Sequence, residues 1–479
     1  MSHSPLDPPD WDVFRRQAHD LLDHLIGKLE YVADGPVWRP VPDAVKQRLA
    51  VDSPSLPQGV EQVCAELREL VLPYGAGNTH PRFWGWVHGT GTPGGMLAEM
   101  AAAALNTNCG GRDHGAIYVE RAVIEWARQW FGFPTGGGGL LVGGTSMANL
   151  LGLTVARNHK AGRDIRAEGL GDLRMVGYTS AEGHSCLTKA FEVLGLGRQA
   201  LRRVGVDDHC RMDVAALCAA VAADRAAGLQ PFCVIATAGS VNTGAIDDLA
   251  AIADFCRDEG LWLHIDGAFG AVTILSEALA PRLAGIERAD SIAFDFHKWL
   301  HVPYDAGCIL VRDQALQEAT FGGRPHYLAT AGGLAGGDPL PCDLGVELSR
   351  GFRALKVWFT LKEQGTQRLA EAMERNCAQA RALADRIQTR PLLRLMAPLS
   401  LQIVCLRYQP PGFTEEAVDL LNARLVAELQ ERGIAAPSTC QLQGRLCIRI
   451  CITNHRSGDE DFVLLVEAIE EIGAELVEG

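Results

Sequence analysis

The sequence predicts an α/β protein with a mainly parallel sheet, followed by a smaller C-terminal α+β domain. Short apolar runs alternate with helix-like stretches between residues 84 and 312, as parallel strands and their crossover helices do. After residue 389 the pattern changes to two strands and two helices in alternation. The 479 residues are 47% hydrophobic, which is enough to bury a large core, and the length suggests roughly three structural units.

Residues 1–83 are predicted to form an N-terminal helical segment. Helical patterns cover residues 11–30 and 60–72, and five prolines between residues 36 and 57 rule out one continuous helix. Such a segment buries little apolar surface against itself. We therefore expect it to pack on another body, and in particular to wrap around a partner subunit.

The large domain is predicted to span residues 84–366, with six apolar runs as its strands. These runs lie at 140–144, 175–180, 232–240, 261–268, 291–296 and 307–313. Because helix-like stretches lie between most of them, helices are expected to cover both faces of the sheet. Ligands bind beyond the carboxyl ends of the strands in such sheets, so polar residues that follow a strand are candidate site residues.

The small domain is predicted to span residues 367–479. A helix over 349–365 ends at Gly365, and a longer helix follows from 367 to 389. A strand comes next. It is followed by a helix at 415–433, a strand at 445–453 and a helix at 459–475. This order predicts a small α+β unit.

The composition excludes several classes of function. The chain carries 44 basic and 58 acidic residues, a formal net charge of −14, so its field repels nucleic acid and no such partner is expected. It has no run of about 18 apolar residues and no basic start followed by an apolar stretch, so neither a membrane span nor a signal peptide is predicted. Its 14 cysteines are scattered without a CxxC pair, which indicates free thiols in a reducing compartment. We expect a cytoplasmic protein without a metal site.

Two candidate functional segments each open a predicted helix. Thr145 and Ser146 lie in GGTSMAN at 143–149, where hydroxyls and free N–H groups at a helix start form an anion site. The motif is neither a Walker loop nor the GxGxxG fingerprint, which disfavours ATP and NAD. His184 follows the next strand, where it is either a cap or an aromatic ring that stacks on a ligand.

Asp266 and Lys298 carry a more specific signal. Asp266 ends an apolar run, where a carboxylate costs free energy unless it is paired; it is either structural or the partner of a protonated ring nitrogen. Lys298 lies among Phe296, His297 and Trp299, so burial is expected to lower the pKa of its amine and to provide the neutral nucleophile of a Schiff base. The alternative is an amine that reaches solvent past the aromatic rings. An anion site, a stacking ring, a carboxylate and an amine together meet the requirements of pyridoxal phosphate.

These motifs give the chain a resemblance to a known family. It resembles the group II pyridoxal-phosphate-dependent amino-acid decarboxylases in HPRF at 80–83, GGTSMANL at 143–150, GHS at 183–185, HIDGAFG at 264–270 and FHKWL at 296–300. That family includes aromatic-amino-acid, histidine, glutamate and cysteine-sulfinate decarboxylases. The resemblance implies the fold-type-I architecture of aspartate aminotransferase, with a seven-stranded mainly parallel sheet, and a homodimer with active sites at its interface. It also implies that an L-amino acid loses its α-carboxylate as CO2 and leaves as the amine.

The resemblance also assigns roles to single residues. It implies that Lys298 forms the Schiff base with the cofactor, that Asp266 keeps the ring nitrogen protonated and that His184 stacks on the ring. The other cofactor-binding residues that it implies are Thr145, Ser146, Thr237, Ala268 and His297. Arg350 falls near an arginine that supports the active site in the family.

One family feature is missing from the sequence. The loop at 331–343 is rich in glycine, as suits a mobile lid, but lacks the tyrosine that protonates the α carbon in the aromatic decarboxylases. Tyr327 is the expected replacement, ahead of His326 and Cys342. In this family, loss of the loop tyrosine accompanies an oxidative outcome that yields an aldehyde, ammonia and hydrogen peroxide. Decarboxylation to the amine is the first expectation, and the aldehyde-forming reaction is the alternative.

The resemblance leaves two substrate classes open. Trp84, Trp86, Val87 and His88 match the segment that lines the side-chain pocket of the aromatic decarboxylases, and tryptophans suit a flat side chain. An aromatic substrate is favoured on this ground.

Acidic substrates are the second class. Asn106 and Asn108 resemble the corresponding segment of the glutamate and cysteine-sulfinate decarboxylases. Arg82 and Arg112 are candidate partners for an acidic side chain, although each could instead form a structural ion pair.

Overall fold

The computed structural model describes residues 6–323, 333–336 and 339–478, and it begins with an N-terminal segment of three helices. These are α1 (Trp11–Glu30), α2 (Asp43–Leu49) and α3 (Val60–Glu66). The predicted helix over 11–30 is confirmed, whereas the second is shorter than predicted because the chain continues as a π-helical turn at Leu67–Val71. None of the three helices buries a residue, and apolar side chains such as Trp11 and Val63 are more than half exposed.

A seven-stranded sheet forms the centre of the large domain and confirms the predicted, mainly parallel architecture. Its strands are β1 (Gly138–Val142), β2 (Met175–Ser180), β3 (Leu201–Val204), β4 (Gln230–Thr237), β5 (Trp262–Asp266), β6 (Ser291–Asp295) and β7 (Gly307–Val311). They lie in the order β1-β7-β6-β5-β4-β2-β3, with β7 antiparallel to both neighbours and the other pairs parallel. Strand β3 was not predicted, because Arg202 and Arg203 obscure the apolar pattern of this short edge strand.

Helices cover both faces of the large sheet, as predicted. The helices of this region are α4 (Pro93–Leu105), α5 (Gly115–Trp130), α6 (Thr145–Lys160), α7 (Ile165–Glu168), α8 (Cys186–Val193), α9 (Val214–Ala226), α10 (Leu249–Glu259) and α11 (Gln314–Phe321), and of these α5, α6, α8, α9 and α10 pack on the strands. Along β4, Val234 and Ala236 belong to one hydrophobic cluster, whereas Cys233 and Ile235 belong to the other. Because both faces are filled, a ligand must bind at the ends of the strands.

A smaller antiparallel sheet follows the long helix α12 (Arg353–Gln388), which Gly365 interrupts with a φ of 71°, at the predicted position. The remaining elements are β8 (Leu393–Leu395), β9 (Ile403–Tyr408), α13 (Glu415–Glu431), β10 (Ser438–Leu442), β11 (Arg445–Cys451) and α14 (Asp459–Glu478). The strands lie in the order β10-β11-β9-β8, and each pair is antiparallel. Within the part of the chain that the structure describes, no helix is long and apolar enough to cross a membrane.

Candidate active site

A cavity of about 600 Å³ lies at the carboxyl ends of the central strands. It brings together most of the residues that the sequence predicted for the site: Trp86, Val87, His88, Thr145, Ser146, His184, Thr237, Asp266, Ala268, His297 and Lys298. These residues come from loops and strand ends far apart in the chain. The parallel sheet therefore forms the site by placing several strand ends at one edge.

Lys298 forms an ion pair that was not predicted from the sequence. Its Nζ lies 2.8 Å from Oδ2 of Asp295, a buried carboxylate at the end of β6. Burial acts to lower the pKa of Lys298, but attraction to Asp295 and the more distant Asp266 outweighs it, and the pKa is raised. The predicted lowering of this pKa is wrong, because the apolar neighbours in sequence gave no sign that Asp295 reaches the amine.

Asp266 ends β5 with its side chain buried and only 4% of the residue exposed. Its Oδ2 accepts a hydrogen bond from Nδ2 of Asn149 at 3.1 Å, and its Oδ1 accepts from the backbone N–H of Ala268 at 3.3 Å. Burial raises the pKa of Asp266, and this rise is opposed by the positive charge of Lys298 and by the hydrogen bond from Asn149. The carboxylate is thus buried and supported by hydrogen bonds, as a partner for a cationic ring nitrogen needs to be.

The anion site was predicted at the start of α6. Thr145 is the first residue of this helix, and its backbone N–H donates a hydrogen bond to Oδ1 of Asp295 at 2.7 Å. The Oγ1 atoms of Thr145 and Thr237 are buried and lack a hydrogen-bond partner among the described residues. A helix N-terminus with unpaired buried hydroxyls nearby suits a phosphate group, which would accept their hydrogen bonds.

His297 and Tyr304 form an aromatic wall beside Lys298. Their ring centroids are 4.3 Å apart, and the ring of His88 lies 5.8 Å from that of Tyr304. The Nδ1 of His297 accepts a hydrogen bond from the backbone N–H of Ala306, and burial lowers the pKa of this histidine. Desolvation raises the pKa of the Tyr304 phenol, so the phenol keeps its proton.

Tyr304 and Asp295 are the principal site residues that the sequence analysis missed. Tyr304 lines the cavity because the loop after Lys298 turns back toward the site before it enters β7. A residue's position in such a loop has no periodic signal. For Asp295 a signal existed, since an aspartate ends an apolar strand just as Asp266 does.

Two predicted pocket residues belong elsewhere, and both predictions are corrected. Trp84 is fully buried in the core of the small domain, where it stacks on Phe462 at 4.9 Å and donates from Nε1 to Ser457 at 3.0 Å. Arg350 is buried outside the cavity in a two-pronged ion pair with Glu120, with N···O distances of 2.6 and 2.9 Å. Both side chains stabilise the framework around the site.

The two asparagines also lie outside this cavity. Asn106 ends α4 with a φ of 45°, and Oδ1 of Asn108 accepts hydrogen bonds from the backbone N–H groups of Gly110 and Arg350, both at 2.9 Å. Both asparagines stabilise turns of the backbone. Their predicted place in the substrate pocket is therefore corrected. The side chain of Arg82 lies between Ile434 and Asp461, also away from the cavity.

The predicted proton donors were Tyr327, His326 and Cys342. Tyr327 and His326 lie outside the described residues. Cys342 is described, but it lies beside Gly110 and does not line the cavity.

The chain is similar to known proteins along most of its length. The family model described as "Pyridoxal-dependent decarboxylase conserved domain" matches residues 42–409. Aromatic-L-amino-acid decarboxylase from Bacillus atrophaeus is 34% identical over 97% of this chain and 96% of its own length. Phenylacetaldehyde synthase from Arabidopsis thaliana is 27% identical over 93% of each chain. The crystal structure of Oryza sativa TDC with PLP and tryptamine superposes with a TM-score of 0.90 at 26% identity, covering 98% of this chain and 100% of that one.

Proposed function

Because the chain belongs to the pyridoxal-dependent decarboxylase family, we propose that its cavity removes the α-carboxylate from an aromatic L-amino acid. The observation that carries the substrate class is the charge of the cavity wall. Among the described residues that line it, Lys298 is the sole lysine and there is no arginine, whereas Trp86 and Val87 are apolar. An acidic side chain would lack a cationic partner there, while a flat apolar one finds aromatic contacts.

The residues present fit pyridoxal phosphate, the cofactor of this family. When bound, the cofactor supplies an aldehyde for amines and a ring that withdraws electrons from the bond that breaks. We assign Thr145 and Ser146 to its phosphate, Asp266 to its ring nitrogen and Lys298 to its aldehyde. Asp266 accepts the hydrogen bond of the protonated nitrogen and, as an anion, stabilises that positive charge.

Trp86 is proposed to contact the substrate side chain. Trp86 lines the cavity and is 58% exposed as a residue, and its backbone is held by hydrogen bonds with Ser438 and Arg449. Replacing Trp86 with alanine should raise KM for the preferred aromatic amino acid roughly tenfold, since a large apolar contact is lost. Steady-state kinetics measure this, and kcat should change less than KM. An unchanged KM would contradict the assignment of Trp86 to the pocket.

Tyr304 is proposed to deliver the proton to the α carbon. Tyr304 lines the cavity, and its phenol keeps its proton because desolvation raises its pKa. The Tyr304→Phe variant should lower amine formation by about 10²-fold, the usual scale for loss of a general acid, while the ring still packs on His297. The measurement is amine yield together with aldehyde and peroxide yield in air.

Tyr327→Phe is the matched control for that experiment. Tyr327 remains the donor predicted from the sequence, so the two variants separate two assignments. An amine yield that falls in Tyr327→Phe and not in Tyr304→Phe would refute the role of Tyr304. A shift of Tyr304→Phe from amine to aldehyde would show that the phenol also decides between the two outcomes. The oxidative outcome consumes the amino acid, O2 and water, and it releases the aldehyde, CO2, ammonia and hydrogen peroxide.

A homodimer is proposed as the working assembly. Helices α1, α2 and α3 bury no residue of their own, so their apolar side chains gain a buried environment only against another surface. Sedimentation of the holoenzyme should give twice the mass of the 51.6 kDa chain. A monomer at micromolar concentration with full activity would contradict this proposal. We also propose a cytoplasmic location, which buried free thiols such as those of Cys233, Cys256 and Cys308 support.

A further inference from the structure

A chain of buried polar groups runs from Asp266 into the interior of the large domain. We call it the buried chain, and its members are Asn149, His264, Ser291 and Trp262. Asn149 and Asp266 are joined at 3.1 Å, and Oδ1 of Asn149 lies 2.8 Å from Nε2 of His264. Nδ1 of His264 lies 2.7 Å from Oγ of Ser291, which accepts from Nε1 of Trp262 at 2.8 Å. All four members are at most 3% exposed.

The direction of every hydrogen bond in the buried chain follows from its two ends. An ionised Asp266 only accepts, so Asn149 must donate its Nδ2–H and present its oxygen to His264. That oxygen only accepts, so His264 carries its proton on Nε2. Burial lowers the pKa of His264 to about 3, and the neutral ring must then accept at Nδ1 from Ser291. Ser291 is left to accept from the indole N–H of Trp262, which can only donate.

Packing fixes the geometry of the chain as well as its direction. Asn149 lies on α6, the helix whose first residues form the anion site, and Gly152 of the same helix lies against His264. A Cβ added to Gly152 would lie 2.8 Å from Cε1 of His264, so the imidazole ring occupies the space that a side chain would need. Helix α6 therefore places the phosphate site and the support of Asp266 in one rigid element.

Stability alone does not explain this arrangement. Buried polar groups gain little net stability over apolar groups of the same shape, because their desolvation must be offset by hydrogen bonds. The specific consequence of the buried chain lies at Asp266, where Asn149 supplies the one side-chain hydrogen bond that Oδ2 accepts from the described residues. The other oxygen, Oδ1, accepts a single long hydrogen bond from Ala268.

We propose that the buried chain holds Asp266 as an ionised acceptor aimed at the ring nitrogen of the cofactor, which makes Asn149 and His264 positioning residues. The proposal rests on the proposed assignment of Asp266 to that nitrogen. Burial in an apolar core favours the protonated form of an aspartate. A protonated Asp266 would carry no charge to stabilise a protonated ring nitrogen. The hydrogen bonds of the buried chain oppose this protonation. Each member donates toward the carboxylate of Asp266, and no member is oriented to accept a hydrogen bond from it.

Cofactor affinity tests this proposal directly. Binding of pyridoxal phosphate and of its 1-deaza analogue, which lacks the ring nitrogen, would be measured for the full-length wild type and for Asn149→Leu and His264→Leu. Each variant should weaken binding of pyridoxal phosphate about tenfold or more, the scale of a lost hydrogen bond to a charged group, and change binding of the analogue less than about twofold. His264→Gln, which can keep an N–H near the Nε2 position, should recover most of the loss.

The analogue separates a positioning role from a loosened site. Equal losses for both cofactors, or no loss for either, would overturn the proposal. If the leucine variants fail to fold, Ser291→Ala removes one hydroxyl and should still weaken pyridoxal phosphate alone, by about threefold. A wild type that binds both cofactors equally would instead refute the assignment of Asp266 to the ring nitrogen, on which the proposal depends.

Discussion

Replacing Lys298 with alanine is expected to lower turnover by about 10³-fold or more, the largest effect of any single change. The amine of Lys298 lies in the cavity, 2.8 Å from Asp295, and it is the sole lysine among the described residues of the cavity wall. Borohydride treatment of the wild-type holoenzyme should add the cofactor mass to the peptide that contains Lys298. The alanine variant should show neither the modified peptide nor amine formation.

Lys356 provides a matched control for the Lys298 experiment. It is also a buried lysine paired with a carboxylate, that of Glu99, but it lies outside the cavity. Lys356→Ala should lower the melting temperature while activity per folded molecule stays within about threefold of the wild type. Turnover by Lys298→Ala at the level of Lys356→Ala would exclude Lys298 as the residue that binds the cofactor aldehyde.

Asp266→Asn is expected to have the second largest effect, a fall in kcat of about 10²- to 10³-fold. Asparagine has nearly the same volume as aspartate, but it carries no charge to stabilise a protonated ring nitrogen. The buried chain should not compensate, because Asn149 would then face a neutral amide. Steady-state kinetics with saturating cofactor measure the effect, and the affinity for pyridoxal phosphate should fall with kcat.

Asp224→Asn is the matched control for Asp266. Asp224 is an aspartate in the same domain whose carboxylate accepts hydrogen bonds from Arg202 and Tyr178, away from the cavity. Its variant should keep kcat within about twofold of the wild type. A normal kcat for Asp266→Asn at full cofactor occupancy would show that the ring nitrogen needs no anion.

The sequence predicted the fold wherever a pattern was long and periodic. Helix α1 begins at Trp11 because the carboxylate of Asp10 accepts hydrogen bonds from the first backbone N–H groups, and its predicted bounds are confirmed. The strands β4, β5 and β6 are apolar throughout because both faces are covered, and such runs are visible in sequence. The edge strand β3 is short and contains two arginines, and neither feature distinguishes it from a loop.

Two site residues were predicted from their residue type and from their position at or just after a strand end. Asp266 and Lys298 satisfy both conditions, and the structure places both in one cavity. Trp84 and Trp86 show the limit of local reasoning. They are the same residue type and only one residue separates them, yet Trp84 packs in the core of the small domain and Trp86 lines the cavity. Tyr304 reaches the cavity through the course of a loop, which only the folded chain defines.

The buried chain illustrates a second limit. His264 lies two residues before Asp266, so on a strand the two residues share a face. Asn149 lies more than a hundred positions earlier, and its amide meets both of them only because α6 packs on β5. The sequence contains every member of the buried chain, but it does not show which of them are hydrogen-bonded to one another.

The most direct test of the account is product analysis of the purified wild-type protein with added pyridoxal phosphate in air. L-tryptophan, L-tyrosine, L-phenylalanine, dopa, 5-hydroxytryptophan, L-glutamate, L-aspartate and cysteine sulfinate would each be supplied, with amines, aldehydes and peroxide measured by mass spectrometry and a peroxide assay. We expect an aromatic amino acid to yield its amine with the loss of one CO2 and without peroxide. Amine from an acidic amino acid alone, or aldehyde with equimolar peroxide from an aromatic one, would contradict it.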